Sequence, residues 1–214
     1  MFIRLCPYAY FHVNLHYMYI SCTFLINTRN EMRKTIIALM LCLISGQPVF
    51  TQTTGTFTDP RDGKEYQTII IGNKEWTAQN MNFRTRNSWC YGNNPDNCLK
   101  YGRLYTYQDA LRACPPGWRL PFDEEWDALI KHIGIDVAAL RLKTDGNSGF
   151  NVLMSGLRYD YGEFNHMGEY AYFWSNVGDA DYAAWVYVVG RGLNKVYRIH
   201  SFTGTGFSVR CIKR

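Results

Sequence analysis

Four cysteines beyond residue 52, namely Cys90, Cys98, Cys114 and Cys211, constrain this 214-residue chain more than any other feature. An even number of cysteines behind an export signal reads as a disulfide framework. Such a signal precedes them. From Met32 the chain runs MRKTIIALMLCLISGQPVFTQ, with two cations (Arg33 and Lys34), an apolar stretch beginning at Ile36, then small and polar residues. That is the layout of a secretory signal peptide over residues 32–51, and its apolar run is too short to span a bilayer. Cleavage fits after Gly46 or after Thr51. Lipidation would use Cys42, but Leu41 stands where that signal wants a small side chain. Residues 1–31 are apolar and aromatic yet interrupted by His12, Asn14, His16 and Asn27, groups that a membrane anchor keeps out. We therefore expect translation to start at Met32, residues 1–31 to be a misassigned extension, and the mature chain to carry no transmembrane anchor.

Cys6, Cys22 and Cys42 fall in the part expected to be removed. The remaining four allow three connectivities. The expected one is Cys90–Cys98, closing a short loop, with Cys114–Cys211 joining the end of a helix to the last strand. In the chain-entropy model a loop near 100 residues contributes about 4–5 kcal/mol. Zinc fits less well, because no C-x-x-C pair is present.

The composition is 47% hydrophobic, 16% aromatic and 19% charged, which excludes disorder, collagen-like repeats and coiled coil. The formal charge of +5 is uneven: residues 1–47 hold four of the 23 basic and one of the 18 acidic side chains. The body is thus nearly neutral and shows no basic stripe, so nucleic acid is not an expected partner.

Tyr66–Ile71 and Lys74–Gln79 flank Gly72-Asn73 and predict a hairpin. Thr106-Tyr107-Gln108-Asp109 reads as a capping box opening a helix to Ala113, which Pro115-Pro116-Gly117 stops. After Pro121, the residues Phe122, Trp126, Leu129, Ile130 and Ile133 share one helical face, and Gly134 closes the helix. Strands are predicted at 170–174, 183–189, 196–200 and 207–212, with a long aperiodic loop region between Lys143 and Glu169. The expectation is one α+β domain over 57–214, two helices packed on a mostly antiparallel twisted sheet.

The stretches DGKEYQTIIIGNKEWTAQNMNF, SWCYGNNPDNC, YGRLYTYQDALRACPPGWRLPFDEEWDALI, FWSN and GFSVRCIKR, in that order, resemble the Fibrobacter succinogenes major paralogous domain family over roughly residues 57–214. That family is similar in pattern to the C-type-lectin-like superfamily, where RLPFDEEW resembles the helix-start motif of formylglycine-generating, sulfatase-modifying enzymes. The resemblance implies a C-type-lectin-like fold and an exported bacterial protein, secreted or held at the cell surface or in a Gram-negative periplasm. It also implies a Cys114–Cys211 link from the first helix to the last strand. It carries no activity, since fold analogy supplies none.

The sulfatase-modifying relatives use a reactive cysteine pair near the C-terminal core. This chain has only Cys211 there, and a cysteine held in a structural disulfide is not a reactive thiolate. His132, His166 and His200 are the histidines of the body, and no G-x-S-x-G, H-E-x-x-H or phosphate-cradling glycine loop is present. No catalytic residue is assigned. Asp123, Glu124 and Glu125 read as first-turn helix charges, and Trp76, Trp118, Trp126 and Trp185 as core. Asn93, Asn94, Asp96 and Asn97 form an oxygen-rich loop of the kind that can hold calcium, but their spacing is not that of an EF-hand and they read as a structural turn. No metal site or other cofactor is expected.

RYDYGEFNHMGEY interleaves aromatic rings with carboxylates and amides, a mixture suited to a sugar's apolar face and its hydroxyls. The candidate ligand residues are Tyr159, Asp160, Tyr161, Glu163 and Asn165, with Asn176 from the Trp174-Ser175-Asn176 triplet. The leading expectation is a non-catalytic exported module binding a glycan or a cell-surface protein through the loops of 143–182. The alternatives are a formylglycine-generating-enzyme-like oxidoreductase and a purely structural surface domain.

Overall fold

Gly72 and Asn73 turn the chain between β2 (Glu65–Ile71) and β3 (Lys74–Thr77), as predicted, and Gly72 takes φ 64°, a left-handed conformation that glycine adopts freely. The computed structural model describes residues 54–214 apart from Asp181, so the signal peptide at 32–51 and the extension at 1–31 lie outside the described residues. β1 (Thr54–Thr58) joins one edge of β2. On the other side of β3 lies β12 (Ile212–Lys213), followed by β6 (Trp118–Arg119), so the C-terminus is inserted into a sheet begun by the first strands. The order is β1-β2-β3-β12-β6, antiparallel throughout.

A second sheet has the order β11-β10-β9-β7-β8, built from β7 (Ser155–Arg158), β8 (Phe164–Met167), β9 (Tyr170–Ala180), β10 (Ala183–Gly190) and β11 (Tyr197–Phe202). It is antiparallel except for the Gly156–Ala171 bridge between β7 and β9. β4 (Ser88–Trp89) and β5 (Leu104–Tyr105) form a small separate ladder. The helices are short: α1 (Pro95–Tyr101), α2 (Tyr107–Ala113), α3 (Asp123–Ile133) and α4 (Ala138–Leu142). The fold is α+β, with few helices and mainly antiparallel sheets.

β9 and β10 read as nearly unbroken apolar runs because both of their faces are covered. Tyr172, Trp174, Val186 and Val188 enter one core with Tyr105, Leu157 and Phe207. Ala171, Phe173, Tyr187 and Val189 enter a second, against Trp76 and the α3 residues Trp126, Leu129 and Ile133. The two disulfides form as expected, Cys90–Cys98 and Cys114–Cys211, with Cα–Cα distances of 4.9 and 5.8 Å.

Several local expectations change. Phe122 does not share the buried face of α3; it precedes the helix, is 39% exposed and lies under the Arg119 guanidinium. Thr106 does open α2, but its hydroxyl donates to the Asp109 carboxylate instead of capping backbone; the Thr106 N–H goes to the Asn87 carbonyl, and Asp109 accepts the Asn87 N–H. Trp185 is not core: it is half-buried and faces the polar side chains of His200 and Arg198 on the edge strand β11. The aperiodic stretch 143–169 contains the β7–β8 hairpin. The predicted strand 207–212 is extended but is mostly not a ladder, since its residues bond to several different elements.

Candidate functional site

Five of the six predicted ligand residues are gathered on the β7–β8 hairpin. Arg158 and Phe164 are its last ladder pair, and the Tyr159 N–H donates to the Glu163 carbonyl to close the turn. Gly156 takes φ 67°, and a Cβ there would meet the Asn165 carbonyl oxygen at 2.4 Å, so the hairpin requires glycine at that point. Asp160 accepts the Tyr161 N–H and Asn165 accepts the His166 N–H, both through side-chain oxygens. With the backbone so fixed, the Tyr159 and Tyr161 rings stack at 5.1 Å and 8°. Tyr161 remains 70% exposed. Its hydroxyl titrates above the ordinary tyrosine range, through desolvation first and then the nearby Glu163, Tyr159 and Asp160.

The turn stands on a braced foundation. Arg158 lies over Trp89 at 3.8 Å and exchanges backbone hydrogen bonds with Gly206, while Tyr91 packs on Phe164. Trp89 and Tyr91 flank Cys90, so the short disulfide loop supports the hairpin. Asn176 is not brought to this group. It lies on β9, with its N–H on the Pro121 carbonyl near the start of α3.

A second feature has no forerunner in the residue reading. Three adjoining cavities of about 370, 390 and 500 Å³ share Gln67, Ala78 and Asn151 at one junction and Lys100, Thr144 and Leu153 at the other. They form a continuous cleft lined mainly by amides, hydroxyls and cations. At its floor lies Arg210, only 1% exposed. Its guanidinium donates to Asn80 Oδ1 and to the carbonyls of Thr77, Phe150 and Asn151. Burial pulls its pKa down to about 9, which leaves it charged at neutral pH. Asn151 takes φ 56°, a left-handed conformation that asparagine tolerates. Arg210 stands in the stretch GFSVRCIKR, but a single charged residue in an apolar run reveals neither its burial nor a cleft.

A sequence model of the Fibrobacter succinogenes major domain matches residues 64–213, which includes both the hairpin and most of the cleft. The chain belongs to that family. No curated protein and no solved structure matches it.

Asp123, Glu125, Asn94 and Asn97 of this Fibrobacter succinogenes major domain have structural partners. The Asp123 carboxylate is buried and accepts from Ser175 and Arg198. Glu125 pairs with Arg119 and reaches back to the Phe122 N–H; burial raises its pKa, but the Arg119 hydrogen bonds outweigh that and the net shift is downward. Asn94 caps α1 through the Asp96 N–H, and Asn97 donates to the Tyr91 carbonyl, so the oxygen-rich loop is a helix start. Among the described residues no three His, Cys, Asp or Glu side chains gather where a metal could sit. Among them, too, no helix is long and apolar enough to cross a membrane. Two disulfides are compatible with an extracellular or periplasmic location.

Proposed function

We propose that this domain is an exported, non-catalytic binding module of C-type-lectin-like fold, and that it takes a glycan at the β7–β8 turn. The observation that carries the reading is the stack of exposed Tyr161 on half-buried Tyr159, with Asp160, Glu163 and Asn165 on the same hairpin. Tyr159 covers one face of Tyr161, and an aromatic face left to solvent suits the C–H face of a pyranose. The surrounding carboxylates and amide suit its hydroxyls. The non-catalytic part rests on sulfur. Cys211 is fully buried and bonded to Cys114, so it offers no thiolate for chemistry of the sulfatase-modifying kind.

The test is a glycan-array screen of the disulfide-intact protein, with and without calcium, beside a count of titratable thiols. Binding to a defined glycan that Tyr161→Ala abolishes supports the reading. Silence across the array, or two free thiols near neutral pH, overturns it and favours the structural or the oxidoreductase alternative.

A further inference from the structure

The cleft and the hairpin turn are separate places. Met154 and Gly168, joined by a backbone hydrogen bond of 2.9 Å, line the cleft at the foot of the β7–β8 hairpin, whereas Tyr159 and Tyr161 are at its tip. The cleft has its own charge character. Lys100, Lys143, Arg191 and Arg210 all line it, and among the described residues none of the four pairs with a carboxylate. Instead Lys143 donates to the Arg191 carbonyl, and Lys100 lies over the Tyr101 ring. Glu65 and Asp145 are the acids on its walls. Arg210 adds a directional element. Four of its five N–H donors are used by the described partners, and the fifth, on Nη2, has no partner among the described residues.

We propose that this cleft binds an anionic polysaccharide strand, a hydroxyl-rich chain bearing carboxylate or sulfate groups. Three cavities in series, each large enough for part of a small ligand, suit an extended polymer better than a single compact molecule. Amide and hydroxyl walls match sugar hydroxyls, and uncompensated cations match the acidic groups, with Arg suited to their paired oxygens. A nucleic acid would want open aromatic faces for base stacking. Here Tyr66 is only 3% exposed, and Lys100 sits over Tyr101. An extended acidic peptide would want pockets for alternate side chains, whereas this cleft sets amides and hydroxyls between its cations.

The experiment is calorimetric titration of the disulfide-intact protein with four probes of matched length: oligogalacturonate, sulfated dextran, unmodified dextran and oligoglutamate. Either acidic polysaccharide should bind at least about tenfold tighter than dextran at low salt and weaken as salt rises. The tighter of the two identifies the acidic group. Lys100→Glu combined with Arg191→Glu, at two exposed positions, should weaken acidic binding by about tenfold or more. Thr144→Trp, which blocks the cleft by bulk without changing charge, should weaken it as well, and all variants should keep the wild-type melting temperature. Tyr161→Ala should leave this binding unchanged, which separates the cleft from the hairpin. Equal binding of dextran, no binding of either acidic polysaccharide, full retention in both cleft variants, or equally tight binding of oligoglutamate overturns the proposal.

Discussion

The C-terminal segment 205–212 and the hairpin turn 159–163 are both short, non-helical and rich in backbone hydrogen bonds, yet they are built on opposite principles. All eight residues of 205–212 are buried. Phe207, Val209 and Cys211 alternate into one core, while Ser208 and Arg210 face a polar seam with Asn80 and Ser155. The segment bonds to Arg158 and Tyr172 of the second sheet, to Tyr105 of the small ladder, and to Thr77 and Met81 on the first-sheet side. The turn, by contrast, is closed by bonds among its own residues, and it packs Tyr159 toward the core while leaving Tyr161 outward. A segment ordered by distant partners carries stability, whereas one ordered by itself is free to change its side chains and carry recognition.

The largest test of this contrast removes the covalent end of the buried segment. Cys114–Cys211 spans 97 residues, so Cys211→Ser should cost about 4–5 kcal/mol, whereas Cys98→Ser opens a link across 8 residues and should cost about 2–3 kcal/mol. Urea unfolding of both variants measures the difference, and equal costs would mean that the buried segment is not the special one. Next comes Arg210→Met. It fills much of the same space but leaves the carbonyls of Thr77, Phe150 and Asn151 without their donor, and should cost about 3 kcal/mol by the same measurement. A neutral outcome would show that the guanidinium's desolvation cancels its four hydrogen bonds.

A smaller effect depends on pH. Asp59 is buried, which raises its pKa, but its hydrogen bonds from Arg61 outweigh that and leave it lowered from 3.8. Arg61 also donates to the carbonyls of Arg112, Ala113 and Cys114, bracing the other end of the long disulfide. A carboxylate with a depressed folded pKa contributes stability that is full above its unfolded value and is lost as pH falls through the lower folded one. Asp59 and Glu125 should therefore make the protein less stable as pH falls below about 4, the unfolded carboxylate range. In Asp59→Asn that acid-dependent loss should shrink. Hydrogen exchange at pH 3 should show opening near Cys114 before any change in the β7–β8 ladder.

The same contrast explains what the sequence made legible. α2, α3 and the β2–β3 hairpin carry local signals, namely a breaker after Ala113, apolar spacing from Trp126 to Ile133 and Gly72-Asn73, and each is present. The alternation in 207–212 correctly marks an extended segment, but alternation does not tell which strand, if any, lies beside it. β7 and β8 escaped notice because only Leu157 and its neighbours on β7 are buried, while Asn165 is exposed and Phe164, His166 and Met167 half-buried, so neither strand shows a period of two. The candidate residues Tyr159, Asp160, Tyr161, Glu163 and Asn165 could be named as a group because their chemistry is contiguous in the chain. The cleft could not, because Gln67, Lys100, Asn151, Arg191 and Arg210 come from five separate stretches that only the tertiary fold unites.

The smallest expected change in stability falls at the turn, and it is the most informative for recognition. Tyr161 is 70% exposed and its ring contact is to Tyr159, its neighbour in the same turn. Tyr161→Ala should then alter unfolding free energy by less than about 0.5 kcal/mol, as for other surface substitutions, while removing the open ring on which a sugar would sit. A loss of 2 kcal/mol or so would place the ring among the fold's supports and return the turn to the same class as the C-terminal segment. Unchanged melting together with unchanged glycan binding would instead leave the stacked pair without a role in recognition, and the search for the ligand would move to the foot of the hairpin.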